Sequence, residues 1–252
     1  MTGFLRWQKL AAEFLGTAFL VAIGAGSVPA AAIVSGRGVG EPITFVELGI
    51  VALAFGTIVA VTVYAFGYVS GNHINPAVTV ALAVSGKFAW KDVPGYVIAQ
   101  LAGATVGAIA IIGVLGTQAS EAGLGVVSYA DATPIWQAFT AEFIGTFILV
   151  ATVFGVIHRK AADGFAGLAI GLVVFAVILP VAPTTGAPLN PARMIGPMII
   201  QEFFGEQVPW SQLPLYLLAQ LAAGVTAAIV MAKVTATHAH ELHHWWEADD
   251  ED

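Results

Sequence analysis

Apolar residues along this chain come in long blocks rather than short alternations. Stretches near 8–34, 45–69, 93–116, 135–157, 164–183 and 212–235 are almost wholly apolar. A helix rises 1.5 Å per residue, so crossing about 30 Å of hydrocarbon takes about 20 such residues. Each block is of that order, and the pattern predicts six membrane-spanning helices. Two further apolar pieces, 76–85 and 191–201, are too short to cross a bilayer alone and read as half-spanning, re-entrant helices.

The blocks repeat in order. "AEFLGT" at 12–17 returns as "AEFIGT" at 141–146, 129 residues later, and "AQLAGATVGA" at 99–108 returns as "AQLAAGVTAA" at 219–228, 120 residues later. Asn75-Pro76-Ala77 returns as Asn190-Pro191-Ala192 after 115 residues. Three matches in one order mark a duplicated unit. The expected units are 1–125 and 126–236, each with three spans and one half-helix. An acidic, His-rich tail, 237–252, follows and is expected to be cytoplasmic and disordered. Three crossings are odd in number, so the second unit enters the membrane inverted. The fold class expected is therefore an all-α membrane protein: six transmembrane helices plus two re-entrant half-helices in an inverted repeat.

Asparagine is a favoured helix N-cap, and proline suits the first helical position, where no N–H is needed. Each Asn-Pro-Ala therefore reads as a helix start. Inverted units bring the two short helices in from opposite faces, N-terminus to N-terminus near the midplane. Each N-terminus carries roughly half a positive charge from its aligned peptide dipoles. The irregular stretches before them, 71–74 and 186–189, survive at that depth only when buried in protein or lining a watery cavity. Two Asn-Pro turns in ordinary loops are the plainer reading; their equivalent places in a duplicated unit favour the middle of a pore.

Composition agrees with the pattern: 58% of residues are hydrophobic and 10% charged, where soluble domains carry about a quarter charged. Of the 16 acidic residues behind the net charge of −7, six lie between Glu241 and Asp252, so the rest is near neutral and nothing points to nucleic acid. The absence of cysteine excludes disulfides and thiolate metal sites. Arg6, Lys9, Lys87, Lys91, Arg159, Lys160 and Lys233 fall on one side of the predicted spans, against Arg37 and Arg193 on the other. The excess of basic residues places both termini in the cytoplasm of a multi-pass cell-membrane protein. Glu13 inside the first block, and the length of that block, argue against a cleaved signal peptide.

With these residues in view, the chain resembles the aquaporin and glycerol-facilitator family, the major intrinsic proteins, over about residues 8–235. The signature reads "SGNHINPAVT" from Ser70 to Thr79, and its second half reads Asn190-Pro191-Ala192-Arg193. The resemblance implies a passive channel for water that excludes protons and ions, with no catalytic role, cofactor or metal, assembled as a homotetramer in the lipid bilayer. It implies that Asn75 and Asn190 donate amide hydrogens to a passing water. It also implies that carbonyls of Gly71, Asn72, His73 and Ile74, and of Gly186, Ala187 and Pro188, form acceptor ladders. The selectivity filter maps to Phe55, Ile178, Ala187 and Arg193, of which Arg193 is a permanently charged fork of donors. Ile178 stands where strict water channels place histidine, and Ala187 where they often carry threonine or cysteine. Glycerol facilitators typically have Trp, Gly and Phe at the first three filter positions and Asp after the arginine, where this chain has Met194. The intermediate filter resembles that of archaeal-type aquaporins. It favours water, with slower passage of glycerol or other small neutral solutes; a glycerol facilitator is the alternative.

Glu13 and Glu142 occupy matching places in the repeats. An acid inside a span is a functional candidate by default; the resemblance implies a structural role, bracing loop backbone, over a proton relay. His73 is left open between lining the pore and binding its own loop. Gly103, Gly107, Gly167 and Gly171 have the spacing of helix contacts. The tail carries a literal H-E-x-x-H at His240, Glu241 and His244, which on a helix could hold zinc for a membrane-anchored hydrolase. Only eight residues follow, and no domain surrounds the motif to form a cleft. An ion channel or secondary transporter would need more charged groups in the spans than Glu13, Glu142 and Arg193.

Overall fold

The computed structural model describes residues 3–38, 41–204 and 207–236. Its order is α1 (Arg6–Phe19), a π-helical turn (Leu20–Ala25), α2 (Ser27–Ser35), α3 (Phe45–Ser70), α4 (Pro76–Val84), α5 (Val93–Leu115), α6 (Gln118–Glu121), α7 (Ile135–Val156), α8 (Ala166–Thr185), α9 (Pro191–Phe203) and α10 (Leu213–Val234). Six helical stretches are long and apolar enough to cross a membrane: Arg6–Ser35, Phe45–Ser70, Trp90–Leu115, Ile135–Val156, Ala166–Thr185 and Trp210–Val234. No strand forms among the described residues. The tail, with its H-E-x-x-H, lies outside the described residues.

Local chemistry sets the boundaries. Thr44 caps α3 by accepting from the Glu47 N–H, while Glu47 reaches back to the Thr44 N–H, a reciprocal capping box. α3 and α8 end on Gly71 (φ 86°) and Gly186 (φ 76°), whose left-handed backbone turns the chain into the irregular loops. Asn75 and Asn190 have extended backbone, cap α4 and α9 through their side chains, and are followed by proline at the first helical position. α4 ends at Val84, and α9 runs to Phe203, two residues past its expected end.

The first span departs from a plain helix. Gly26 N–H bonds the carbonyl of Val21, five residues back, at 3.1 Å, and the π turn separates α1 from α2. Apolar periodicity does not register such a bulge, since it inserts without breaking the oily run.

Small residues set the packing between spans. A Cβ on Gly56 would lie 2.7 Å from the carbonyl oxygen of Gly171, and one on Gly171 would lie 2.4 Å from that of Gly56. The α3 and α8 backbones therefore touch at equivalent positions, 115 residues apart, and bring the two repeats together beside the core. Leu48, Val51, Phe55, Val59, Val174, Val177, Ile178 and Val181 from these helices share one buried cluster.

Candidate functional site: the paired half-helix tips and their cavity

The loops before α4 and α9 are built by the same strained backbone. Asn72 (φ 48°), Ile74 (φ 44°), Ala187 (φ 47°) and Leu189 (φ 53°) all take left-handed conformations. Such conformations in non-glycine residues, the β-branched Ile74 above all, cost energy and persist only where surroundings hold them. Two buried carboxylates do the holding. Glu13 Oε1 accepts from Ser70 Oγ (2.7 Å) and the His73 N–H (2.8 Å), and its Oε2 accepts from the Ile74 N–H (2.7 Å) and Gln100 Nε2 (2.8 Å). Glu142 Oε1 accepts from Thr185 Oγ1 (2.6 Å), and its Oε2 accepts from the Leu189 N–H (3.2 Å) and Gln220 Nε2 (2.8 Å). Tyr96 and Tyr216 complete the frame, their hydroxyls donating to the carbonyls of Ser70 (2.9 Å) and Thr185 (2.8 Å).

Held in this way, the tips interlock. Asn75 Nδ2 donates to the Leu189 carbonyl at 2.9 Å, and Asn190 Nδ2 donates to the Ile74 carbonyl at 2.8 Å. The Ile74 carbonyl, expected in the acceptor ladder, thus accepts a cross-tip bond; its second lone pair remains. Each asparagine Oδ1 accepts from its own helix: Ala77 N–H at 2.9 Å for Asn75, and Ala192 and Arg193 N–H at 3.0 and 3.2 Å for Asn190. With the oxygen held there, the amide cannot rotate end for end. Its second N–H is the side-chain donor each asparagine has left.

One cavity of about 670 Å³ passes these amides. Its wall holds Gly71, Asn72, His73, Ile74 and Asn75 from the first loop, and Ala187, Pro188, Leu189 and Asn190 from the second. Gly186, expected with them, is not on the wall, although its counterpart Gly71 is; a Cβ on Gly186 would meet Val127. Aliphatic side chains, among them Leu20, Val59, Val63, Leu149 and Val174, face the polar loops. Toward one end the cavity reaches Lys87, Tyr68 and Gly164.

Phe55, Ile178, Ala187 and Arg193 are brought together on the same wall, each at most 6% exposed. The Arg193 guanidinium sits over the Phe55 ring, 5.1 Å from its centroid, a cation–π contact worth about 2 kcal/mol when desolvated. Its Nη1 donates to the Gly125 carbonyl at 2.8 Å, and no described residue accepts from its Nε.

His73 does both things left open for it. Its ring lines the cavity and packs on Phe88 and Tyr96, with centroids 4.8 and 5.0 Å away. Thr79 Oγ1 donates to the Asn75 carbonyl at 3.0 Å, so its hydroxyl proton is spent. The His73 Nδ1, 3.2 Å from that oxygen, must then be the donor, which leaves Nε2 as an acceptor.

Sequence reasoning missed Gln100, Gln220, Tyr96, Tyr216, Thr79 and the Gly125 carbonyl. A signal existed for the glutamines: each is the polar letter inside the repeated "AQLA", and a buried amide within a span needs a partner. Among the described residues no group of three or more His, Cys, Asp or Glu could hold a metal ion.

The sequence profile described as Major intrinsic protein matches residues 2–211. The chain belongs to this family. Among its major intrinsic protein relatives, aquaporin AqpM of Methanothermobacter thermautotrophicus is 36% identical over 240 residues, covering 91% of this chain and 98% of that one. Aquaporin NIP1-1 of Arabidopsis thaliana is 40% identical over 197 residues, covering 77% of this chain and 64% of that one. An X-ray structure of the aquaglyceroporin from Plasmodium falciparum superposes with a TM-score of 0.75 at 23% identity, covering 90% of this chain and 94% of that one; it shares the fold.

Proposed function

We propose that the chain is a passive channel of the cell membrane that conducts water, and more slowly glycerol or other small neutral solutes, while excluding protons and ions. The observation that carries this is the locked pair of asparagine amides beside one cavity. A water oxygen accepting from both remaining N–H groups has its lone pairs occupied, so its own hydrogens point along the cavity in opposite directions. Neither flanking water can then hand a proton through it. The α4 and α9 N-termini add positive ends that oppose a cation.

The names of the relatives, aquaporins in both cases, support water as the substrate. The filter supports the ranking of solutes: it has one cationic donor and three apolar walls, Phe55, Ile178 and Ala187, with no histidine to take up width. Residues 1–125 and 126–236 act as the two repeats, with both termini cytoplasmic. Exposed Phe45, Val46, Ile50 and Leu53 on α3 suit lipid or neighbouring subunits, in keeping with a homotetramer.

Reconstituted vesicles subjected to an osmotic step in a stopped-flow light-scattering instrument test the reading. Protein-containing vesicles should shrink faster than empty ones, respond more slowly to a glycerol gradient, and hold a proton gradient. Shrinkage no faster than in empty vesicles overturns it. The same vesicles treated with a zinc chelator should keep their water flux.

A further inference from the structure

Phe55 is held on the cavity wall from behind by a residue that is not on that wall. A Cβ on Gly24, in the π-helical turn, would lie 2.5 Å from Phe55 Cδ1 and 2.6 Å from Cε1. The ring thus rests directly on the Gly24 backbone, with the guanidinium of Arg193 on it from another side. The neighbouring residue of the same turn backs the other half of the constriction. A Cβ on Gly125 would lie 2.6 Å from the Ala25 carbonyl oxygen, and Gly125 supplies the carbonyl that holds Arg193 Nη1. A single π turn therefore abuts both the aromatic wall and the support of the charged wall. Such bulges recur at functional sites, where they re-aim a backbone inside a helix.

The turn is also packed on α5. A Cβ on Gly107 would lie 2.5 Å from the carbonyl of Ala18, at the end of α1, and 2.8 Å from Val21 Cβ in the turn. Bulk added at residue 24 therefore moves the Phe55 ring rather than the helix. Non-bonded carbons rest at about 3.5–4 Å, so the ring must shift by about 1 Å. The ring lies between Gly24 and the cavity, and its way out is into the cavity.

We infer that Gly24 is a specificity-determining positioning residue, which sets the width of the passage at Phe55 and Arg193 by letting the ring sit back against the π turn. The inference rests on the channel reading above. It makes solute size depend on a backbone feature of the first span, behind the four side chains that line the constriction.

The test is a cycle of Gly24→Ala, Phe55→Leu and the double variant in reconstituted vesicles. Gly24→Ala should lower water permeability at least about threefold, since about 1 Å is lost from a passage of single-file width, and should lower glycerol permeability more steeply still. In the double variant the shorter Leu side chain accommodates the added methyl, so its water permeability should fall within about twofold of Phe55→Leu alone. A merely structural defect at residue 24 would persist when residue 55 is shortened. Gly24→Ala indistinguishable from wild type, or a loss undiminished in the Phe55→Leu background, overturns the inference. A structure of Gly24→Ala decides it without any flux: a Phe55 ring displaced toward Arg193 supports it, and a ring in its original place overturns it. Wild-type vesicles that pass no water would instead count against the channel reading.

Discussion

The two half-helix tips share a plan and differ in what fills it. Gly71, Asn72, Ile74 and Asn75 match Gly186, Ala187, Leu189 and Asn190 in backbone conformation, at an offset of 115 residues. The side of α4 is polar: His73 Nδ1 and Gln100 Nε2 both donate to Thr79 Oγ1, and Glu13 gathers four donors. On the side of α9, Pro188 stands for His73 and Met194 for Thr79, and Glu142 gathers three donors. Val78 of the first tip is matched by Arg193 of the second. The π turn also has no partner, because α7 runs unbroken where α1 breaks. The duplicated parts make the cavity, and the unduplicated parts put Arg193 and its Gly125 support at one end of it.

The largest break in this comparison is Arg193→Val, which gives the second tip the residue of the first. At an effective dielectric constant near 20, a unit charge about 5 Å away costs a passing cation about 3 kcal/mol. Losing it should raise proton or cation leak by at least about tenfold, read with a pH-sensitive dye inside vesicles, while water flux persists. An unchanged leak would mean that the converging helix ends suffice for exclusion and that Arg193 has another role.

Next in size is a difference between the two acids. In Glu13→Gln, the amide nitrogen must replace either Oε1, facing the His73 N–H, or Oε2, facing the Ile74 N–H. Both are backbone donors that cannot turn away. A buried donor left unsatisfied costs about 1–3 kcal/mol, and the melting temperature in detergent should fall by roughly 5 °C. In Glu142→Gln the nitrogen can take the Oε1 place, where it meets only the Thr185 hydroxyl, and a hydroxyl can turn to accept. That variant should melt within about 2 °C of wild type. Equal losses in both would mean that the charge, rather than the count of fixed donors, holds the loops.

The spans, the half-helices and the inversion were legible because each is written more than once, in apolar length and in repeated words such as "AEFLGT". Phe55, Ile178, Ala187 and Arg193, mapped by resemblance, do meet on one cavity wall. Besides buried partners such as Gln100 and Tyr96, what stayed hidden has no letter of its own. The π turn is a hydrogen-bond register, and its residues are as apolar as any in the span. The acceptor of Arg193 is the main-chain carbonyl of Gly125, a group that every residue carries and no letter marks. The cross-tip bonds of Asn75 and Asn190 end on the carbonyls of Leu189 and Ile74, and only the left-handed backbone there turns them to the amides.

The smallest expected effect repairs the asymmetry instead of breaking it. Pro188 has no N–H to match the one His73 gives to Glu13. By its repeat equivalence with His73, Pro188→Ala should supply a donor aimed at Glu142 Oε1. A bond to a charged acceptor contributes about 1.5–3 kcal/mol, and relaxing the proline removes about 0.4–1 kcal/mol through the unfolded chain. The net gain of about 1 kcal/mol should raise the melting temperature by about 2–4 °C. The repair also carries its own control. Once residue 188 donates to Oε1, the amide nitrogen of Glu142→Gln no longer has an oxygen position faced only by a rotatable hydroxyl. The double variant should therefore lose stability as Glu13→Gln does, although neither single change is costly. Additive behaviour in that cycle would show that the missing N–H is not what separates the two acids.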